Sequence, residues 1–325
     1  MSMKRKVARG IAGVALCGIS MGAVAQQFPT KPMRWICPIA AGGGADLTTR
    51  LIAQHVSEQV GQQIVVDNRT GASGNIGTEI AVRAPADGYT LVTITASFPA
   101  NHATMSKNPY DLTGDLAYVS QISAQPYILL VHASIPATTV KEFVALARKQ
   151  AKPYVYGSSG IATLQHMAGV MLGLNTGAQV THVPYKGGAP ALQDLIGGRL
   201  QFFFGVILSS MPHIKSGKVN ALAVTSSTRS PSFPELPTMI EAGVPGFIVD
   251  NWYAAAVPAK TPPAIVARLN AEIVRAVRNP AVEQRLRTDG SMAVGNTAQE
   301  MTSVVRGDLA RWQKIVKEAG IKPDS

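Results

Sequence analysis

The chain predicts an α/β fold of two lobes, and three observations carry that expectation. Short apolar, β-branched runs alternate with longer stretches of helical period, the pattern of strands and helices in largely parallel sheets. Of the 325 residues, 46% are hydrophobic and only 15% charged, which excludes a disordered chain and supplies apolar material for roughly two domains. Turn-rich passages near Ser123–Pro126 and Gly243–Gly246 stand where a crossing into a second lobe and a return from it would fall.

The first 25 residues read as a secretory signal. Lys4, Arg5, Lys6 and Arg9 precede an apolar stretch from Gly10 to Gly22, and Ala23-Val24-Ala25 supplies the small residues of a cleavage site after Ala25. A membrane anchor needs about 20 continuous apolar residues, and a lipid anchor at Cys17 is disfavoured by Leu16 before it. Cleavage removes four basic side chains and no acidic one, lowering the net charge from +11 to +7. It leaves Cys37 alone, so no internal disulfide forms. No block of five or six Lys/Arg occurs and aromatics are 6%, which excludes a nucleic-acid partner and suits weak steering of a small anion.

Arg34-Trp35-Ile36-Cys37, Ile64-Val65-Val66, Tyr89 to Ile94, Tyr127 to Val131, Leu200 to Phe204 and Ala221 to Val224 are the expected buried strands. Thr139-x-x-Glu142 and Thr297-x-x-Glu300 are capping boxes. Ile265, Leu269, Ile273 and Val277 form one stripe of a helix opened by Pro262-Pro263. Met301, Val305, Leu309, Trp312 and Val316 form another, which Gly320 ends.

Two loops point to chemistry. Pro38-Ile39-Ala40-Ala41-Gly42-Gly43-Gly44-Ala45-Asp46 stands between a strand and a helix marked by Leu47, Leu51, Ile52, Val56 and Val60. Successive glycines allow close approach of backbone to ligand, and a helix start offers unpaired N–H groups to a carboxylate or phosphate. Asp46 is the expected cap of that helix. The arrangement recurs from Val155 to Thr163, where Ser158, Ser159 and Thr163 add hydroxyls before a helix containing Leu164, Met167 and Met171. Two anion-ready helix starts, one per lobe, suggest a small anion clamped between them; ordinary tight turns are the plainer alternative.

Enzyme signatures are missing. Gly157-Ser158-Ser159-Gly160 lacks the spacing of a nucleophile elbow, and Gly71, Gly74 and Gly77 give G-x-x-G-x-x-G in place of the dinucleotide pattern. The six histidines show no zinc-binding spacing, so neither metal nor cofactor is expected. His166 beside the second loop reads as a packing or capping residue, and Lys186 as a solvated turn residue.

In order along the chain, Lys31-Pro32-x-Arg34, Pro38-x-Ala40-Ala41-Gly42-Gly43-Gly44-x-Asp46, Asn68-Arg69-x-Gly71, Gly74-Asn75-Ile76-Gly77, Asp87-Gly88-Tyr89-Thr90-Leu91, Ser158-Ser159-Gly160, His182-Val183-Pro184-Tyr185-Lys186-Gly187 and Ala221-Leu222-Ala223-Val224-Thr225 resemble the Bug receptors. These are the extracytoplasmic solute receptors of tripartite tricarboxylate transporters. The resemblance implies a two-lobed periplasmic binding protein fold that closes on a small carboxylate, a periplasmic location, a monomer, and a permease partner with a large and a small subunit. Its lobes would be residues 26–125 with 249–325, and residues 126–248. The implied ligand set is Ala41, Gly42, Gly43, Gly44 and Asp46; Thr95, Ser97 and Phe98; Ser158, Ser159, Gly160 and Thr163; and Gly205 and Val206. Relatives often carry Phe-Asp-Asn where this chain reads Phe204-Gly205-Val206, and small polar residues where it has Phe98 and Pro99. Those departures favour a carboxylate with an apolar or aromatic body. Two other functions compete: a ligand sensor for a signalling kinase, and a secreted hydrolase, for which Ser158 has no activating base visible in the sequence.

Overall fold

The computed structural model describes residues 28–321; the expected signal sequence lies outside them. The chain begins with β1 (Met33–Cys37), α1 (Gly44–Val60), β2 (Ile64–Asn68), α2 (Asn75–Val82), β3 (Thr90–Thr95) and α3 (Ser97–Thr104). The long strand β4 (Leu116–His132) leads to α4 (Val140–Lys149), β5 (Tyr154–Ser158), α5 (Leu164–Thr176), β6 (Val180–Pro184), α6 (Gly188–Ile196), β7 (Phe202–Val206), α7 (Ile207–Lys215) and β8 (Val219–Val224). The return is β9 (Asp250–Pro258), followed by α8 (Pro263–Val277), α9 (Pro280–Thr288), β10 (Met292–Ala293) and α10 (Ala298–Glu318).

The strands run in the order β2-β1-β3-β9-β4-β7-β5-β6, with β8 and β10 also pairing with β4. Strand β1 is parallel to β2 and β3, and β5 is parallel to β6 and β7. The middle is antiparallel: β9 against β3 and β4, and β4 against β7 and β8. The sheet is therefore more mixed than the alternation of elements suggests. The strand entering the second half and the strand leaving it are neighbours, and neighbours leading in and out run in opposite directions.

The passage Ser123–Pro126, expected as a turn, is the middle of β4. Residues Leu116 to Pro126 pair with β9, and Tyr127 to His132 pair with β7 and β8. Pro126 stands where the ladder changes partner, the place at which its missing N–H costs least. Buried Thr225 fastens that point. Its hydroxyl accepts from Tyr127 N–H at 2.9 Å and donates to the Val249 carbonyl at 2.6 Å, so entering and returning strands share one side-chain tie.

Both capping boxes form: Thr139 Oγ1 accepts from Glu142 N–H and Thr297 Oγ1 from Glu300 N–H, each at 3.2 Å. The stripes of α8 and α10 are buried except Leu309, which is half-buried. Helix α3 of the first lobe packs on α5 of the second, and one core cluster runs from Phe98 to Leu164, Met167 and Met171.

Candidate functional site

The first loop leaves β1 and enters α1. Its N-cap is Gly43, and Asp46 sits in the first turn, so the expected cap is displaced by three residues. Asp46 instead reaches back. Its Oδ2 accepts from Gly42 N–H at 2.9 Å, its Oδ1 from Asn68 Nδ2 at 2.8 Å, and both oxygens from Arg50 Nε at 3.0 Å. At 2% exposure, burial pulls its pKa upward, but the bonds from Arg50, Gly42 and Asn68 outweigh burial and hold it below the ordinary carboxylate value. Asn68 also donates to the Ile39 carbonyl at 3.0 Å, tying the start of the loop to β2.

These bonds revise which donors the loop can offer. Gly42 N–H is taken by Asp46 and Gly43 N–H by the Ala40 carbonyl at 3.2 Å. The first-turn N–H groups of Gly44, Ala45 and Asp46 have no intrahelical acceptor by helix geometry, and Gly44 is exposed. Ala41 is exposed. Gly42 has φ +80°, a left-handed conformation that requires its glycine. Thr95, at the end of β3, shares a 2.7 Å hydrogen bond with Ser97. Opposite Thr95 in the ladder stands Tyr253 of β9; a Cβ on Gly44 would lie 2.9 Å from its hydroxyl.

The second loop is held by neutral groups. Ser158, 0% exposed, donates to the Gly160 carbonyl at 2.8 Å, accepts from Gly160 N–H at 3.1 Å, and lies 2.6 Å from His182 Nε2. Ser159 N–H donates to Gln165 Oε1 at 2.9 Å, while Gln165 Nε2 donates to the Phe204 carbonyl at 2.8 Å. Ala162, at φ +58°, donates its N–H to His166 Nδ1 at 3.1 Å. Thr163 caps α5 by accepting from His166 N–H and donates to the Gly160 carbonyl. The hydroxyls of Ser158 and Thr163, expected as ligand donors, thus shape the loop. The first-turn N–H groups of Leu164 and Gln165 are the donors left at its helix start. Behind the loop, His166 and His182 stack with centroids 4.0 Å apart. Burial lowers the pKa of both, and burial with the neighbouring His166 takes His182 down to about 4.

The 2.6 Å Ser158–His182 contact has the distance of a nucleophile and its base. It lacks the rest: the serine is wholly buried, and His182 stacks on another imidazole with no carboxylate among the described residues to orient it. No group of His, Cys, Asp and Glu able to hold a metal occurs among the described residues.

Two expected site residues, Phe98 and Gly205, are corrected. Phe98 is 0% exposed and packs under Gly74, where a Cβ would come within 2.6 Å of its ring; it is core. Gly205 is buried, and a Cβ there would meet Leu130 Cδ1 and Ser210 Oγ at 2.5 Å each. Its missing side chain therefore reflects packing and says nothing about a ligand group. Val206 is half-buried and precedes α7 as its N-cap. The supports Asn68, Gln165, His182 and Tyr253 were not predicted, because each acts through a contact distant in sequence.

Two lobes joined by paired crossing strands, each with a helix start at the carboxyl end of its parallel strands, define a solute-binding receptor of the periplasmic binding protein type. Comparison with known proteins narrows that class. The profile described as "Tripartite tricarboxylate transporter family receptor" matches residues 48–321. Protein BugT of Bordetella pertussis is 32% identical over 324 residues, 99% of each chain. Among solved structures, R. palustris Rpa4515 with adipate is 36% identical with a TM-score of 0.74, covering 91% of this chain and 99% of its own. MatC (Rpa3494) from Rhodopseudomonas palustris with bound malate is 29% identical with a TM-score of 0.72, covering 89% and 100%. The chain belongs to the tripartite tricarboxylate transporter receptor family, and is a periplasmic receptor, not an enzyme.

Proposed function

We propose that this receptor captures one small carboxylate with an apolar body between residues 26–125 with 249–325 and residues 126–248, and delivers it as a monomer to the large and small subunits of a tripartite permease. The observation that carries the reading is the pair of helix starts, α1 and α5, with first-turn N–H groups at Gly44, Ala45, Leu164 and Gln165. Hydrogen bonds to a charged group contribute about 1.5–3 kcal/mol each, and micromolar affinity corresponds to about 8 kcal/mol. Four such donors are of the right order before desolvation and closure are charged against them. Signal cleavage after Ala25 belongs to the same reading, and the mass of the exported protein tests it.

Support for an apolar ligand body moves from Phe98 and Gly205 to exposed aliphatic residues at strand ends. Ile161 of the second loop is 54% exposed and Leu208 after β7 is 57% exposed; Leu47 and Ile76 stand after β1 and β2. The relative crystallised with adipate, an unbranched diacid, agrees with this chemistry. Calorimetric titration with adipate, benzene dicarboxylates, malate, citrate, aspartate and glutamate tests it. Adipate or a benzene dicarboxylate is expected to bind tightest. Tightest binding by aspartate, glutamate or citrate overturns the apolar preference, and no binding by any of the series overturns the proposed ligand class.

A further inference from the structure

We propose that Tyr253 is a ligand-binding residue, its phenolic O–H donating to the carboxylate held at the start of α1. The inference rests on the carboxylate reading above and adds a donor that belongs to neither loop. Tyr253 lies in β9, in register with Thr95, the last residue of β3. That register carries it to the carboxyl end of the first-lobe strands. The closest atom to a Cβ built on exposed Gly44 is the tyrosine hydroxyl, at 2.9 Å, with the ring carbons almost an ångström further away. The hydroxyl, not the ring face, is therefore what stands beside the first residue of α1.

The hydroxyl is half engaged. It accepts from Asn251 Nδ2 at 3.2 Å, and among the described residues no acceptor is present for its own proton. A phenol whose oxygen already accepts and whose proton has no partner is a donor waiting for an acceptor. Burial is the main cause of its raised pKa, and neighbouring Cys37 adds to the rise against the lowering by Asn251; the group stays protonated and donating. The selectivity follows from polarity: a carboxylate oxygen completes this arrangement, whereas an ammonium group offers no acceptor for the phenolic proton.

The same contact accounts for the third glycine of the first loop. Gly44 is helical and needs no left-handed freedom, so its backbone alone does not call for glycine. Any side chain there would displace the tyrosine hydroxyl. Gly44 and Tyr253 are thus two halves of one feature.

The test is calorimetry on wild type, Tyr253→Phe, Gly44→Ala and the double variant, using whichever carboxylate of the adipate, malate, citrate, benzene dicarboxylate, aspartate and glutamate series binds wild type tightest. Tyr253→Phe removes one oxygen and is expected to weaken binding about ten- to hundredfold, with the melting temperature of the ligand-free protein unchanged. Gly44→Ala is expected to weaken binding as well. The double variant should be no weaker than Tyr253→Phe alone, because removing the oxygen makes room for the new methyl. Undiminished affinity in Tyr253→Phe overturns the inference while the receptor reading stands. A loss of affinity matched by a lower melting temperature of the free protein also overturns it, assigning the hydroxyl to structure. Wild type that binds no member of the series overturns the proposed ligand class and this inference with it.

Discussion

The two loops offer the same thing, first-turn N–H groups at a helix start, and are built from opposite materials. The first is braced by charge: buried Asp46 gathers Gly42, Asn68 and Arg50. The second is braced by neutral side chains: Gln165 and His166 accept from the Ser159 and Ala162 N–H groups, and His182 meets the Ser158 hydroxyl. A charged brace beside a carboxylate works only if its own charge is compensated, and Arg50 does that. A neutral brace adds no field but holds only while His166, which accepts from Ala162 N–H, stays unprotonated. The two halves of one site therefore have different weaknesses.

The largest expected effect is at Asp46. Asp46→Ala leaves Gly42, Asn68 and Arg50 without their common acceptor and is expected to cost about 2–4 kcal/mol of stability, partly moderated because Arg50 can turn to water. Chemical denaturation measures it, and calorimetry should find ligand binding lost. Gln165→Leu comes next, stranding Ser159 N–H and the Phe204 carbonyl, at about 1–3 kcal/mol. If Gln165→Leu proves costlier than Asp46→Ala, the charged brace is not the more demanding one and the comparison fails.

Acid should separate the loops. The His182 pKa in the fold, about 4, lies below its ordinary 6.5, so the unfolded chain takes up a proton first. Stability is expected to fall as pH drops from about 6.5 to about 4, with a slope of up to about 1.4 kcal/mol per unit. A carboxyl elsewhere works the other way. Asp250 borders a cavity of about 500 Å³ behind the crossing strands, and burial with neighbouring Asp308 pushes it up to about 7 from 3.8. Between those values the folded state keeps a proton the unfolded state has lost, so this group makes stability fall as pH rises. Melting curves in an Asp250→Asn background should expose the histidine slope, and adding His182→Gln should flatten it. A slope that survives both changes removes His182 as its source. The smallest effect is expected at exposed Lys186, where Lys186→Ala should change affinity less than about twofold, since screened surface charge contributes little; a large loss would mean that side-chain charge, not backbone, holds the ligand.

What the sequence made legible follows from range. Both capping boxes and the α8 stripe are local patterns and fold as read; the two loops stand between strand and helix as read, with different groups left to donate. Strand β9 escaped notice because Ala254, Ala255 and Ala256 carry no β-branched signature; their small side chains, each 0% exposed, fit a strand packed on both faces. The displaced role of Asp46 shows the limit at one site: an acid near a helix start reads as a cap, but whether it caps or reaches back depends on Asn68, 22 residues away. Gly205 carries the sharper lesson. A substitution beside a predicted site invites a chemical explanation, and here Leu130 and Ser210 supply a steric one.

The order β3-β9-β4 has a consequence for the life of the chain before it is a receptor. Strands β3 and β4 are successive in sequence, yet they never touch as partners, because β9 is inserted between them. Until residues 250–258 are available, the first lobe has two bare strand edges and a gap at its centre. Contacts that span so much chain form late and slowly. A protein destined for the periplasm must cross a membrane, and this topology withholds the closing strand until most of the polypeptide has been made. The wedge that joins the lobes in the finished molecule is also the segment on which completion of the first-lobe sheet waits.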